Sequence, residues 1–232
     1  MIFQTPHDLS TYFFIAILIF VVGAFLSGVY FSHKNLTASP LKTTILTGVA
    51  TSIWLIIFSL VVKFVLKTDE PMPGIPILLA FIFVVTISFS LSRFGKQLAY
   101  ALPLSSFIFF QIFRLPLELV LHNWYEQGSI PETMTWSGQN LDIVSGIVAL
   151  FVFSFMRKNR KAIWFANIAG ILLLINVIRV AVMSAPLPFS WKLETPLLVI
   201  FHLPYAFIAP ICVGGALVGH ILLTRALLAV KK

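Results

Sequence analysis

Charge is what this sequence has least of. Charged residues fill 10% of the 232 positions, against about 25% in a soluble domain. A chain so short of charge cannot cover a water-facing surface. Cysteine is nearly absent too: Cys212 stands alone, which excludes an internal disulfide and any CxxC redox or metal chemistry. HExxH and GxSxG patterns are missing, so neither a helical zinc-protease site nor a serine nucleophile elbow is indicated. No lysine lies between Lys192 and Lys231, which removes the anchor for a retinal Schiff base in the last apolar run. That run reads HLPYAFIAP from His202 and contains nothing like NPxxY.

What remains is apolar. Hydrophobic residues make up 59% of the chain and the mean hydropathy is +1.00. The expected class is an all-α polytopic membrane protein, a single domain over residues 1–232. The formal charge of +8 is no sign of nucleic-acid binding, because the basic residues sit in short clusters between apolar runs, where they set membrane orientation. The start, MIFQTPHDLSTYFF, lacks the basic region of a signal peptide, so its apolar run reads as a retained transmembrane helix.

A spanning helix needs roughly 20 mostly apolar residues. Runs of this kind, one of them short, predict seven helices, about 11–31, 43–66, 74–92, 97–121, 142–156, 162–184 and 195–228. The fifth is short, and the seventh is long and interrupted by Pro204 and Pro210. The links alternate in charge. Lys34 and Lys42 follow the first helix with no acid. Lys67 faces Asp69 and Glu70 after the second. Arg93 and Lys96 follow the third, Glu126 and Glu132 the fourth, Arg157 to Lys161 the fifth, Lys192 and Glu194 the sixth, and the tail carries Arg225, Lys231 and Lys232. Basic excess on every second link puts the N-terminus outside and the C-terminus in the cytoplasm. The expected location is the cell membrane, of the bacterial inner-membrane kind. The pairs Ala24/Gly28, Ala166/Gly170 and Gly215/Gly219 predict close helix contacts, within the chain or with another copy or a partner subunit.

One stretch, Gln111 to Asp142, breaks the apolar pattern from within. Gln111, Arg114, Glu118 and His122 fall on one stripe of a helix turning about 100° per residue. Pro116 interrupts that stripe and deprives the Ile112 carbonyl of its usual donor. Asn140 and Asp142 open the next helix, where an N-cap and a first-turn acid already account for them. Asn176 and Arg179 share a face near the end of the sixth run, and His202 opens the seventh. Apart from Asn167, the strongly polar candidates lie in the outer half. The loop 123–139 is long for neighbouring helices and carries Trp124, Tyr125 and Trp136, either as an interfacial belt or as a lid over the stripe.

Charges inside a membrane are costly and are functional by default. Gln111, Arg114, Glu118, Asp142, Asn176, Arg179 and His202 form the candidate ligand-binding set of a protein that binds or transports a lipid headgroup or small anionic or polar molecule. If the protein is an enzyme on a lipid-linked substrate, Glu118 with His122 or His202 would be its acid and base. If it is an accessory subunit, Arg114 and Glu118 form a structural i, i+4 pair. Glu118, His122, Asp142 and His202 have metal-ligand chemistry, but two nearby arginines repel a cation and the spacing matches no metal motif, so no metal or other cofactor is assigned. The topology is tested by Ser137→Cys and Asn159→Cys, each in a Cys212→Ser background. An impermeant maleimide applied to intact cells is expected to label the first and spare the second; the opposite pattern refutes the orientation.

Overall fold

The computed structural model describes residues 3–34, 39–68 and 70–229. Asp69, Lys231 and Lys232 of the charge pattern lie outside them. All regular structure among the described residues is helical: α1 (Asp8–His33), α2 (Pro40–Phe64), α3 (Gly74–Leu91), α4 (Arg93–Ala101), α5 (Leu104–Gln111), α6 (Arg114–Glu126), α7 (Ile143–Phe155), α8 (Arg160–Ser184) and α9 (Gly214–Ala229). Six segments are long and apolar enough to cross a membrane, α5 and α6 counting as one and Tyr205–Ala229 as another. The chain is a multi-pass membrane protein. α7 is apolar but shorter, about 20 Å at 1.5 Å per residue.

Prolines and caps explain where the helices differ from the expected spans. The fourth run, expected as one helix over 97–121, is three. Leu102 is extended before Pro103 (φ −92°, ψ 143°), as a residue before proline prefers, and this separates amphipathic α4 from α5. The chain turns again at Ile112 and Phe113. Pro116 then falls in the first turn of α6, where a missing N–H costs no helical bond. The Ile112 carbonyl accepts from the Leu115 amide at 3.0 Å, so it is not left bare. In the last run, the stretch from 195 to 204 has only a short turn at Val199–Phe201. A π-helical segment, Ile208–Val213, containing Pro210 leads into α9, since a proline cannot supply the regular bond.

α6 ends in a glycine-capped turn. Gly128 has φ 73°, its amide donates to the Tyr125 carbonyl at 2.8 Å, and the Ser129 amide donates to the Trp124 carbonyl at 2.8 Å. These are the two bonds of a Schellman cap, for which glycine supplies the left-handed backbone. The loop that follows gathers one end of the bundle. The His7 amide donates to Gln127 Oε1 at 2.7 Å, Thr133 and Ser184 hydroxyls pair at 2.7 Å, and Thr11 pairs with the Tyr205 hydroxyl at 3.2 Å. Trp124, fully buried, packs edge-on against Phe14 and Tyr205 beneath it. At the other end Arg160 donates to the Leu227 carbonyl, and Arg225 holds the Ser90 and Ser92 carbonyls.

α6 and α7 approach as closely as a missing side chain allows. A Cβ at Gly146 would lie 2.5 Å from the Leu115 amide nitrogen and 2.7 Å from Leu115 Cβ. Overpacking of this kind costs about 1–3 kcal/mol. Gly146→Ala is therefore expected to lower the melting temperature of the detergent-solubilised protein by several degrees, at roughly 2–4 °C per kcal/mol. Gly23→Ala, where nothing lies within 4 Å, should not lower it, since alanine is the better helix former. Equal behaviour of the two variants would remove close α6–α7 packing as a determinant of stability.

Candidate functional site

The break before α6 lets its first residue face inward. Arg114 is 1% exposed. Its Nε donates to Asp142 Oδ2 at 2.7 Å, and its Nη2 meets Asp142 Oδ1 to complete a two-pronged pair. Its Nη1 donates to the Gly170 carbonyl at 3.2 Å and to His220 Nε2 at 3.0 Å. The planar guanidinium thus spends donors on three helices at once. Arg114 pairs with Asp142, across helices, rather than with Glu118 along its own helix.

Room for this arrangement comes from glycine. A Cβ at Gly170 would lie 2.4 Å from His220 Cε1 and 3.4 Å from Arg114 Nη1. One at Gly219 would lie 2.6 Å from Gln111 Nε2, which donates to the Ala216 carbonyl at 3.1 Å. The small residues expected at helix contacts therefore serve, at these two positions, to admit polar side chains.

Glu118, one turn after Arg114 and equally buried, takes a different partner. Asn140 Nδ2 reaches both of its oxygens at 3.0 Å and the Met134 carbonyl at 3.0 Å. Asn140 Oδ1 accepts the Asp142 amide at 3.0 Å, a local turn typical of asparagine. Asn140 therefore does more than begin a helix: it joins Glu118, Asp142 and the loop. A cavity of about 100 Å³ lies beside Glu118, Arg114 and Asp142, its other walls apolar and drawn from α3, α6, α8 and the approach to α9. Leu79, Phe83, Ile178 and Val182 line it and are half-buried.

The other candidates lie apart from this cluster. His122 stacks on Trp136 with ring centres 4.1 Å apart, and its Nε2 is 3.8 Å from Glu126. Asn176 Nδ2 donates to the Gln139 carbonyl at 2.8 Å. Arg179 is exposed, reaching Asn176 Oδ1 at 3.0 Å and the Trp191 ring at 5.8 Å. His202 stacks on Phe3 at 4.2 Å, and burial lowers its pKa below the usual histidine range. Arg114, Glu118 and Asp142 come together; Gln111 bonds to the Ala216 carbonyl instead, and His122, Asn176, Arg179 and His202 brace the loop end.

The residue missed by sequence reasoning is His220. Its Nδ1 is 2.9 Å from Asn167 Oδ1, and Asn167 Nδ2 donates to the Thr224 hydroxyl at 2.7 Å. The polar chain thus extends along α8 and α9, away from the loop end. An imidazole next to Gly219, one turn after Gly215, inside an apolar run was the available signal.

A bundle of membrane-crossing helices around a buried arginine-centred network is the class that fold and site define. Within that class, the chain belongs to the family described as domain of unknown function (DUF8737), whose model matches residues 71–228. No curated protein and no solved structure matches it. The match takes in α3 to α9 nearly to its end and every residue of the network.

Breaking a buried pair from one side costs about 3–5 kcal/mol, because the other charge is stranded. Arg114→Met and Asp142→Leu are each expected to lose that much in thermal or denaturant unfolding. The double variant should recover at least half of the summed loss, as coupled residues do. Simple additivity of the two losses would show that the pair is not a unit.

Proposed function

We propose that this protein crosses the cell membrane seven times, N-terminus outside, and binds a small polar molecule or lipid headgroup at Glu118 in its outer half. The crossing count rests on the charge alternation and on α7 connecting a loop at one end of the bundle to Arg160 at the other. The bacterial inner membrane suits a basic, short-looped polytopic chain.

The binding reading rests on one observation. Glu118 lines a cavity and, among the described residues, accepts from Asn140 alone, whereas the Arg114 fork is already occupied by Asp142, Gly170 and His220. A carboxyl group can accept about four hydrogen bonds, so a ligand that donates finds acceptors here. A ligand that needs donors finds Arg114 engaged. This favours an ammonium or hydroxyl group over an anion. The cavity is smaller than the ~150 Å³ that holds a benzene, so it suits the polar end of an amphiphile, with the rest lying towards the gap between α3 and α8. The enzyme reading has less support, since His122 and His202 turn to Trp136 and Phe3 rather than to Glu118. The accessory-subunit reading explains the Arg114–Asp142 pair but not the space beside it.

Dodecylamine and dodecanoate, added to the protein in nanodiscs and counted by native mass spectrometry, test the reading. A charge-assisted hydrogen bond is worth about 1.5–3 kcal/mol. The amine should accordingly be retained at least about tenfold better than the acid, and Glu118→Ala should abolish the difference. Equal retention of both probes, or indifference to Glu118→Ala, refutes it.

A further inference from the structure

A second and larger concavity lies on the opposite flank of α6. It is a groove of about 860 Å³ between α1 and the α5–α6 pair. Phe13 and Ile17 of α1 face Pro116 and Val120 of α6 across it. Its floor is closed by Phe20 and Phe109, whose rings meet edge to face at 6.2 Å. Its upper rim is polar: His7, Asn123 and Gln127. Gln127 is tied down by the His7 amide and by Asn123 Oδ1, so the rim is fixed in place.

Length and polarity together specify an occupant. From Ser10 to Phe20, α1 rises about 15 Å at 1.5 Å per residue. That is half the roughly 30 Å hydrocarbon thickness of a bilayer, the depth of one leaflet. The groove is apolar over that depth and polar only where headgroups begin. Asp8 and Glu126 adjoin the rim residues in sequence, and no Lys or Arg lines the groove. Both carboxylates are exposed and flank the rim rather than line the groove, Glu126 lying 3.8 Å from His122 Nε2; beside a lining without Lys or Arg they disfavour an anionic headgroup and favour an ammonium. We propose that this groove seats one acyl chain of a zwitterionic, ammonium-bearing glycerophospholipid, its headgroup held by the amides of Asn123 and Gln127 and by Asp8 and Glu126. α1 precedes the residues matched by the family model, so one wall of the seat is supplied from outside the family domain. The site is separate from the cavity at Glu118 and does not depend on it.

Protein reconstituted with equal amounts of phosphatidylethanolamine and phosphatidylglycerol, then extracted into mild detergent, is examined by native mass spectrometry. One phosphatidylethanolamine per chain is expected to persist. Ala16→Trp, which fills the groove from α1, should reduce that occupancy at least fivefold. Asp8→Asn with Glu126→Gln, both at the surface, should keep the lipid but erase the headgroup preference. Lipid seated in the groove should be lost with Ala16→Trp and kept with Glu118→Gln, whereas lipid held at the Glu118 cavity behaves the opposite way, which keeps the two sites distinguishable. Retention unaffected by Ala16→Trp at an unchanged melting temperature overturns the proposal. So does a preference for phosphatidylglycerol, or a headgroup preference that survives the Asp8/Glu126 double variant. If Ala16→Trp does not fold, the Asp8/Glu126 variant alone decides.

Discussion

The two-pronged contact between Arg114 and Asp142 is the constraint on which the interior depends. A guanidinium in the middle of an apolar bundle is tolerated only when its charge is met and its donors are used. Here α7 supplies the carboxylate, α8 a carbonyl and α9 an imidazole. Each partner has a structural precondition. α6 must begin at Arg114, which Pro116 in its first turn favours. α7 must approach α6 closely, which Gly146 allows. α8 and α9 must leave room, which Gly170 and Gly219 provide. Packing and electrostatics are the same problem in this bundle.

The loop between α6 and α7 is drawn into that arrangement through Asn140. It is the only side chain hydrogen-bonded to Glu118 among the described residues, and it also holds the Met134 carbonyl and the Asp142 amide. Stacking of Trp136 on His122 and the bonds from Asn176 to Gln139 fasten the loop from above. Glu118 is thus roofed by a segment whose position is set by the same amide that touches it.

Much of this was legible in the residues, because membrane segments obey simple rules. Apolar length found the long helices. Helical spacing singled out Gln111, Arg114 and Glu118, and the structure buries all three. What spacing does not encode is which partner wins when several are near. Arg114 and Glu118, four residues apart, look paired on a helical wheel, yet Asp142 on another helix presents two oxygens in the plane of the guanidinium. Arg179 and His202 share a depth with the cluster but project elsewhere, and depth alone carries no azimuth. The subdivision of the fourth run was readable at Pro103. His220 left only a weak signal, its place beside Gly219, since a lone imidazole in an apolar run has the same appearance whether it packs or bonds.

An arginine can give hydrogen bonds but take none. His220 Nε2 must therefore offer its lone pair to Arg114, which puts the ring proton on Nδ1. That proton points at Asn167 Oδ1, fixing which way round the amide lies, and its NH₂ then points at Thr224, whose hydroxyl donates to the His220 carbonyl at 2.9 Å. The direction of this row, from His220 through Asn167 to Thr224, is set by one guanidinium. The bonds at its two ends cannot reverse, because a guanidinium accepts nothing and a carbonyl donates nothing. The row of polar groups therefore has one fixed direction, and it holds a geometry along the bundle from Arg114 to Thr224.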